Sequence, residues 1–477
     1  MRAFSVLIFV FFILGCSNST FPVHGTGPYL TDLKVEKNLE NVLSCRLSFK
    51  TDKKVSTVIR YHSDTHSGYE VRDEDKQNHY LFLWGMRAET KYEIEIFYQD
   101  EDEPIITTEF MTGKLPDSVP PMILKENKEQ KLSEGFVLFT YYYIPEDQSE
   151  PIVMMLDAQG EVVWYFEYYM SGFNVIGDVQ YIEETSTILM SISKGPNMAD
   201  IPAEEAIEID LEGNVIWKSQ EILSVHNGPN SWHHIYNRLS DDSLVMLKPD
   251  IIDNVIGDEI LNLDRDYNEL WSWKYSDHFE IPECPASEIC DWTHFNHVNM
   301  YPKDRTVYVN SRNLSSYFRV DMDLKNVVWT FGKDGDFEMI SDHPDPWFEF
   351  AHAPEIFGTD RNDILFYDNG SDERGYSRVI KYRIDEVNMT AQVIFEFDGS
   401  DIGKKWFTPF WGDADNMENG NIVVTAGNFE NQEESRIFEV TPDGEIVWEI
   451  VLVQPEQENL MISLYNSCKF KPDLQMF

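Results

Sequence analysis

Asp157-Ala-Gln-Gly160-Glu-Val-Val-Trp164 is a tight turn followed by a short apolar segment that ends in tryptophan. The pattern returns five more times, once in a degenerate form that keeps only its aromatic end. The later copies occupy residues 210–217, 264–271, 321–329, 393–395 and 441–448. From Trp164 onward, the terminal aromatic residues advance by 53, 54, 58, 66 and 53 positions, which is too regular for a chance recurrence of turns.

This repeat predicts the fold of most of the chain. A turn followed by an apolar strand is half of a hairpin, and its terminal tryptophan is a large side chain to bury. Repeats of this length, with four strands each, are typical of β-propeller blades. Since one blade cannot bury its faces alone, the copies must pack radially. We expect an all-β chain in which residues 122–477 form a six-bladed β-propeller.

A second β-rich unit precedes the repeats. In residues 43–49 every second side chain is apolar, which puts four of them on one face of a strand. Short strand-like segments separated by turns predict a small β-sandwich over residues 27–114, of the fibronectin III or immunoglobulin type. Residues 85–92 resemble the tyrosine corner of fibronectin III domains, with Tyr92 as its tyrosine. Three prolines in residues 113–121 mark the linker.

Residues 1–16 are predicted to be a targeting segment. Arg2 precedes an apolar run over residues 4–14 that is too short to span a membrane and is typical of a signal peptide. The run ends in Leu14-Gly15-Cys16, which resembles a bacterial lipobox whose cysteine becomes the lipidated amino terminus. We therefore expect an exported, periplasmic or outer-membrane lipoprotein anchored through Cys16, with simple secretion as the alternative.

The net charge restricts the partners of this chain. With 38 basic and 84 acidic residues among 477, the formal charge is −46. Such a surface repels nucleic acid and anionic lipid, so we exclude both as binding partners. An anionic substrate would need a local positive group to overcome this general field.

Two of the cysteines are predicted to form a disulfide. Cys284 and Cys290 are separated by five residues in a loop-like segment, and in an oxidising compartment such a pair forms a local bond. Zinc binding is the alternative, but the pair supplies only two ligands and the sequence contains no second pair. Cys45 lies in a strand-like run and is predicted to be a buried thiol.

Eight of the 12 histidines lie within residues 226–352. In a propeller the innermost strand of each blade lines the central channel, so equivalent positions in different blades face one another. Histidines stand at the start of that strand in three successive repeats, and one of these repeats also carries an asparagine and an arginine. The set consists of His233 and His234, His294 with Asn296 and Arg312, and His352. We expect these side chains to meet in one half of the channel.

The motifs around these residues resemble one family, the arylsulfate sulfotransferases. They are the His-x-Asn of residues 294–296, the Ser-Arg of residues 311–312, the histidine at 352 and the Asp-Asn-Gly of residues 368–370, after the paired histidines at 233 and 234. The resemblance covers residues 122–475, and the preceding β-domain matches the layout of that family.

The resemblance implies a reaction and a role for each residue. The reaction is a cofactor-independent transfer of a sulfuryl group from an aryl sulfate donor to a phenolic acceptor, with neither cofactor nor metal, and His352 corresponds to the histidine that is transiently sulfated. His294, Asn296 and Arg312 would bind the sulfuryl group. One of the histidines at 233 and 234 would lie beside the phenolic oxygen, and spacing does not decide which.

The chemistry of these side chains agrees with those roles. Sulfuryl transfer spreads negative charge over three oxygens and needs donors fixed around them. The guanidinium of Arg312 is a planar donor that stays charged. A neutral imidazole at His352 can attack sulfur, and a second imidazole can exchange a proton with the phenolic oxygen. Pro354 cannot donate to a sheet ladder, so we expect it to distort the strand beyond His352.

Two other functions fit the same residues. The three histidines could hold a metal ion for hydrolysis, although Arg312 disfavours a cation and only Asp413 offers a carboxylate on these strands. A non-catalytic binding protein is the second alternative, because propellers host many functions and a lipid anchor suits a surface receptor. The amino-terminal β-domain is a candidate dimerisation element, so a homodimer is one of the expected assemblies.

Overall fold

The computed structural model describes residues 28–144, 152–168, 175–193, 205–219, 233–403, 405–427, 435–454, 461–471 and 474–476. Strands make up nearly all of the regular structure in these residues, which confirms the all-β class. Short 3-10 helices occur at Glu129–Lys131, Tyr275–Asp277, Pro302–Asp304 and Ser400–Ile402. No helix in the described ranges is long and apolar enough to cross a membrane. The predicted signal peptide and lipobox, residues 1–16, lie outside them.

The chain divides into two compact units, Met1–Gly113 with Leu474–Phe477, and Lys114–Asp473. In its described residues the first unit is a hydrogen-bonded sheet of order β33-β3-β2-β4-β5, with β1 added to β2. Its strands are β1 (Leu30–Lys37), β2 (Cys45–Ser63), β3 (His66–Leu83), β4 (Lys91–Tyr98), β5 (Ile106–Met111) and β33 (Gln475–Met476).

One edge of the long strand β2 has two different neighbours along its length, and β3 pairs with the other edge. β1 pairs with its first part and β4 with its last part. The predicted alternation is present, and Leu47 at its centre is 0% exposed. The hydroxyl of Tyr92 accepts a hydrogen bond from the backbone N–H of Arg87 (2.9 Å), which is the contact of a tyrosine corner.

Within the described residues, the second unit contains six antiparallel sheets that share a four-stranded plan. Five of them take their four strands consecutively from the chain. In chain order, the first of these sheets contains β10 (Val175–Ile182), β11 (Thr187–Ser193), β12 (Glu205–Asp210) and β13 (Val215–Lys218), and the second contains β14 (His233–Arg238), β15 (Leu244–Ile252), β16 (Val255–Leu263) and β17 (Glu269–Lys274). The third contains β19 (Phe295–Tyr301), β20 (Thr306–Ser311), β21 (Ser316–Asp321) and β22 (Val327–Phe331), and the fourth contains β24 (His352–Phe357), β25 (Asp363–Asp368), β26 (Arg378–Asp385) and β27 (Thr390–Phe397). The fifth contains β28 (Asp413–Asn416), β29 (Ile422–Ala426), β30 (Ser435–Val440) and β31 (Ile446–Leu452).

The remaining sheet joins the two ends of this unit. It combines β32 (Met461–Phe470) with β7 (Phe136–Ile144), β8 (Ile152–Leu156) and β9 (Val162–Glu167), in that order. Three further strands extend other sheets: β6 (Met122–Asn127) pairs with β31, β18 (Cys290–Asp291) with β16, and β23 (Glu338–Met339) with β27.

The repeated aromatic residues lie on the fourth strand of each sheet, and the indole groups of Trp164, Trp271 and Trp448 donate hydrogen bonds to the turn of the next repeat. Trp164 Nε1 donates to the carbonyl oxygen of Leu211 (2.8 Å), in the turn of the second repeat. Trp448 Nε1, in the last repeat, donates to the carbonyl oxygen of Ala158 (2.9 Å), in the turn of the first. These tryptophan hydrogen bonds therefore also connect the last repeat of the unit to the first.

The first strands of the six described sheets contact one another in a closed order, β10-β14-β19-β24-β28-β32 and back to β10. The strands β14, β19 and β24 each carry a bulge near their first residue. The strand distortion predicted beyond His352 is present as a bulge in β24. Since β14 and β19 contain a bulge at the same place but no proline, Pro354 is not required for it. Since a bulge re-aims the side chains beside it, all three strands can turn their first residues toward a common space.

Candidate active site

His352, the first residue of β24, is buried, with 4% of its surface exposed. Its Nδ1 lies 2.7 Å from Oδ1 of Asn369. The amide N–H groups of Asn369 donate to the carbonyl oxygens of Thr408 (2.6 Å) and Trp411 (2.7 Å), so its Oδ1 can only accept. The proton of the neutral imidazole therefore sits on Nδ1, which leaves a lone pair on Nε2.

The surroundings of His352 keep its ring neutral. Burial lowers the pKa of His352 to about 3, and the positive charge of Arg312 acts in the same direction. The hydrogen bond to Asn369 opposes this shift without reversing it. At neutral pH, His352 is an uncharged imidazole with an unprotonated Nε2, which is the form that attacks electrophiles.

Arg312 follows β20 and lies between two aromatic rings. Its Cζ is 5.1 Å from the ring centroid of Phe350 and 4.9 Å from that of Phe410. Nη1 donates to Oδ1 of Asn313 and Nη2 to the carbonyl oxygen of Pro409, each at 3.1 Å. Nε is buried and has no partner among the described residues. Arg312 therefore offers an unused N–H donor, and the partners recorded for its other nitrogens are neutral.

Asn296 links β19 to the backbone before His352. One of its N–H groups donates to the carbonyl oxygen of Ala351 (2.9 Å), and its Oδ1 accepts from Nδ2 of Asn310 (2.7 Å). Asn310 donates to the same carbonyl (2.7 Å). Two buried amides thus fix the chain immediately before His352, a role that the sequence did not predict. The contact of Asn296 with a sulfuryl group stays a prediction.

His294 directly precedes β19 and has a φ of 47°, a left-handed conformation that is uncommon outside glycine. Its Nδ1 lies 2.5 Å from Oδ2 of Asp291. Because a carboxylate can only accept, Nδ1 carries the proton of this contact and Nε2 is left for another partner. Strained backbone held by surrounding contacts is common at functional sites.

A disulfide loop leads directly into Asp291. The bond joins Cys284 and Cys290, as predicted. The strand β18 then pairs in parallel with β16, and Nδ2 of Asn254 donates to backbone carbonyl groups inside the loop. The loop therefore supports the carboxylate that orients His294.

His233 and His234 open β14, and His234 has a φ of 57°. Their Nδ1 atoms lie 2.8 Å apart, so one of them carries a proton and donates it to the other. Nε2 of His233 lies 2.9 Å from Oδ1 of Asp258. Both nitrogens of His233 are therefore occupied, whereas Nε2 of His234 has no recorded partner in the described part of the chain. The spacing of the sequence left the choice open, and the geometry favours His234 as the residue with a free nitrogen.

These side chains share one region of the molecule. The ring centroids of His234 and His294 are 5.0 Å apart. Burial lowers the pKa of His234 well below its ordinary value, and charges at His294, His233, His352 and Arg312 lower it further. Charges that act on one ring must lie near it, so three histidines from adjacent sheets and one arginine form a single site.

Three residues that orient the histidines were not predicted, namely Asp258, Asp291 and Asn369. Asp291 and Asn369 stand inside motifs that the sequence singles out, whereas Asp258 lies on β16, outside every motif. Asp413 was the only obvious carboxylate that the sequence offered on the histidine strands, but the carboxylates that contact the histidines are those of Asp258 and Asp291. Asp413 instead accepts a hydrogen bond from the backbone N–H of Ala414 (2.9 Å).

Comparison with known proteins places this site in a family. Solved structures with similar shape include a luciferin-regenerating enzyme (8% identity, 74% of this chain and 99% of that chain, TM-score 0.37), a chain of a nidogen–laminin complex (10%, 70% and 97%, TM-score 0.39) and Saccharomyces cerevisiae Sqt1 (8%, 80% and 92%, TM-score 0.30). Likenesses this weak do not bear on the function. No curated protein matches the sequence. The model of the arylsulfotransferase (ASST) family matches residues 123–464, which include every candidate site residue, and the chain therefore belongs to the arylsulfotransferase family.

Proposed function

We propose that this protein transfers a sulfuryl group from an aryl sulfate ester to a phenolic acceptor through a sulfated His352. The observation that carries the proposal is the state of His352. Asn369 holds the proton on Nδ1, and burial keeps the ring neutral, so Nε2 is a nucleophile. In the first half of the reaction Nε2 attacks sulfur, and the bond from sulfur to the aryl oxygen breaks with its electron pair on the phenolate.

Arg312 supports this step electrostatically. Its buried Nε has no partner among the described residues, and its recorded partners are neutral oxygens. A sulfuryl group brings negative oxygens that would pair with this donor and with the charge. The second N–H of Asn296 is a further donor that we assign to these oxygens. Nε2 of His294 would donate to them when the ring also carries a proton on Nε2, as an imidazolium paired with Asp291.

His234 completes the proton balance. In the second half the acceptor phenol attacks the sulfur on His352, and its proton goes to Nε2 of His234. That proton is returned to a departing phenolate in the next cycle. The sum is an aryl sulfate and a phenol converted into a new aryl sulfate and the donor phenol, with no oxidant or reductant needed.

The finer architecture is part of the same proposal. We infer that the six sheets are the blades of a six-bladed β-propeller, preceded by a β-sandwich, and that the protein is exported. The closed order of contacts between first strands and the return of the tryptophan contacts from last repeat to first support the propeller. The disulfide supports an oxidising compartment.

An assay with donor and acceptor tests the reaction. Purified protein is incubated with para-nitrophenyl sulfate, with and without phenol, and with and without a chelator. We expect nitrophenol release to depend on phenol, phenyl sulfate to form in equal amount, and the chelator to have no effect. Peptide mapping after donor alone should find the sulfuryl group on His352. Release that ignores phenol and stops with the chelator, or a label on another residue, would contradict the proposal and favour a metal-dependent hydrolase.

The protonation of His352 gives a prediction that needs no substrate. A histidine of ordinary pKa is half protonated at pH 6.5, whereas His352 gains a proton only as the pH approaches about 3. Nitrogen NMR of histidine-labelled protein, assigned by comparison with His352→Ala, should therefore show a protonated Nδ1 and a bare Nε2 from pH ~8 to ~5. A His352 signal that titrates near 6.5 would show that the ring is not held as we describe.

The disulfide gives a prediction about activity. Cys284→Ser with Cys290→Ser should lower kcat about tenfold while the protein stays folded, because Asp291 and then His294 lose their support and small displacements in an active site are costly. A reductant should lower the wild-type rate to the same level and leave the double variant unchanged. Equal rates in all four measurements would show that the loop does not support the site.

A further inference from the structure

Asp258 on β16 is buried, with 2% of its surface exposed, and it contacts both the first strand of its own sheet and the beginning of the neighbouring sheet. Oδ1 accepts from Nε2 of His233 (2.9 Å). Oδ2 accepts from Oγ1 of Thr293 (2.5 Å) and from the backbone N–H of Phe295 (2.7 Å), beside His294. Burying a carboxylate costs free energy unless an opposite charge compensates for it, and a histidine carries such a charge only when it is protonated. Such a residue calls for a functional explanation.

The contacts of Asp258 determine where protons can lie in the histidine pair. Nε2 of His233 must carry a proton, because it faces a carboxylate. The 2.8 Å contact between the two Nδ1 atoms then holds one proton, which can belong to either ring. When the proton is on His234, Nε2 of His234 is a base. When it is on His233, that ring is a cation beside Asp258, and Nε2 of His234 can carry a proton while its own ring stays neutral.

We propose that Asp258 and His233 form a proton relay behind His234, with Asp258 as its positioning residue. The phenolic proton moves to Nε2 of His234, and the Nδ1 proton of His234 moves to Nδ1 of His233. The positive charge then lies on His233, next to the carboxylate of Asp258, as in other carboxylate–histidine pairs. The reverse transfers return the proton to a leaving phenolate. This inference rests on the proposed sulfuryl transfer and adds the residues that store its proton.

The relay explains a difficulty of the site. A charge on His234 would be opposed by burial and by the neighbouring Arg312, His294 and His352. Moving the charge one ring outward removes it from that group and pairs it with a carboxylate. The proton is retained, but the cation is kept away from the arginine that the sulfuryl oxygens need.

Variants of Asp258 and His233 test the relay through the leaving group. An acidic phenol departs without a proton, whereas a weakly acidic phenol needs one. Asp258→Asn and His233→Asn should therefore lower kcat/KM for the donor, which reports only the first half of the reaction, about 100-fold with phenyl sulfate, within the usual range of acid–base catalysis, but only a few-fold with para-nitrophenyl sulfate. The double variant should be no slower than either single variant, because both remove the same relay.

Two controls separate this outcome from simple damage. Thr293→Val removes another hydrogen bond of Asp258 but leaves the relay, so its effect should be equal for the two donors. His233→Asn keeps the contacts of Asp258 with residues 293 and 295. It therefore carries the test of the relay if a thermal unfolding measurement shows that Asp258→Asn is not folded. An equal loss for both donors in His233→Asn would overturn the relay, whereas a wild-type protein inactive on both would overturn the proposed function itself.

Discussion

Replacing His352 by alanine is expected to lower sulfuryl transfer by about 10⁴-fold or more, which is the scale of removing a nucleophile. The variant lacks the Nε2 to which we assign the covalent intermediate, so the sulfated peptide should also disappear. Steady-state assays with para-nitrophenyl sulfate and phenol measure the rate, and peptide mapping measures the adduct. Added imidazole should restore part of the donor cleavage, because it can enter the space left by the side chain and attack sulfur itself.

A matched substitution separates chemistry from folding in this experiment. His62 lies in the first unit with 34% of its side chain exposed, and it has no part in the candidate site. His62→Ala should therefore keep its activity within about twofold, as surface substitutions do. If His352→Ala kept the wild-type rate while folded, the nucleophile would have to be another residue, and His294 would be the first to examine.

Asn369 shows why the position of His352 could be predicted from the sequence but its protonation could not. The repeat predicts that His352 opens a strand and that two other histidines open neighbouring strands, since the spacing fixes their positions. The tautomer depends instead on the carbonyl groups of Thr408 and Trp411, about 40 residues away, which orient the amide of Asn369. Contacts between loops of different repeats follow no period, so no sequence pattern predicts them.

Asp258 and Asn296 show the same limit in two other ways. Asp258 reaches His233 from the third strand of the sheet, at a position outside every motif that the sequence singles out. Asn296 was predicted as a donor to the sulfuryl group, yet one of its N–H groups holds the carbonyl of Ala351. Residue types therefore predicted which side chains come together, but the hydrogen bonds that orient each of them could not be predicted from the sequence.

Replacing Arg312 by methionine should lower kcat/KM for the donor by about 10³-fold, the upper range for loss of one preorganised donor to a developing anion. Methionine keeps the apolar stem between Phe350 and Phe410 but removes both the buried Nε donor and the charge. Arg312→Lys should recover little of this loss, because an ammonium is a point charge that cannot reproduce the fixed planar donors. The loss should appear in kcat as well as in KM, since the donor contributes most where negative charge develops.

The same change at a distant arginine supplies the comparison. Arg383 on β26 pairs with Asp363 at the surface, with 51% of its side chain exposed. Arg383→Met should leave kcat/KM within about twofold, because exposed ion pairs contribute little. A large rise in KM with unchanged kcat in Arg312→Met would mean that the arginine only attracts the anionic donor into a chain of charge −46. A fall in kcat that is restored by neither lysine nor high donor concentration would instead show that its planar donors act during the transfer itself.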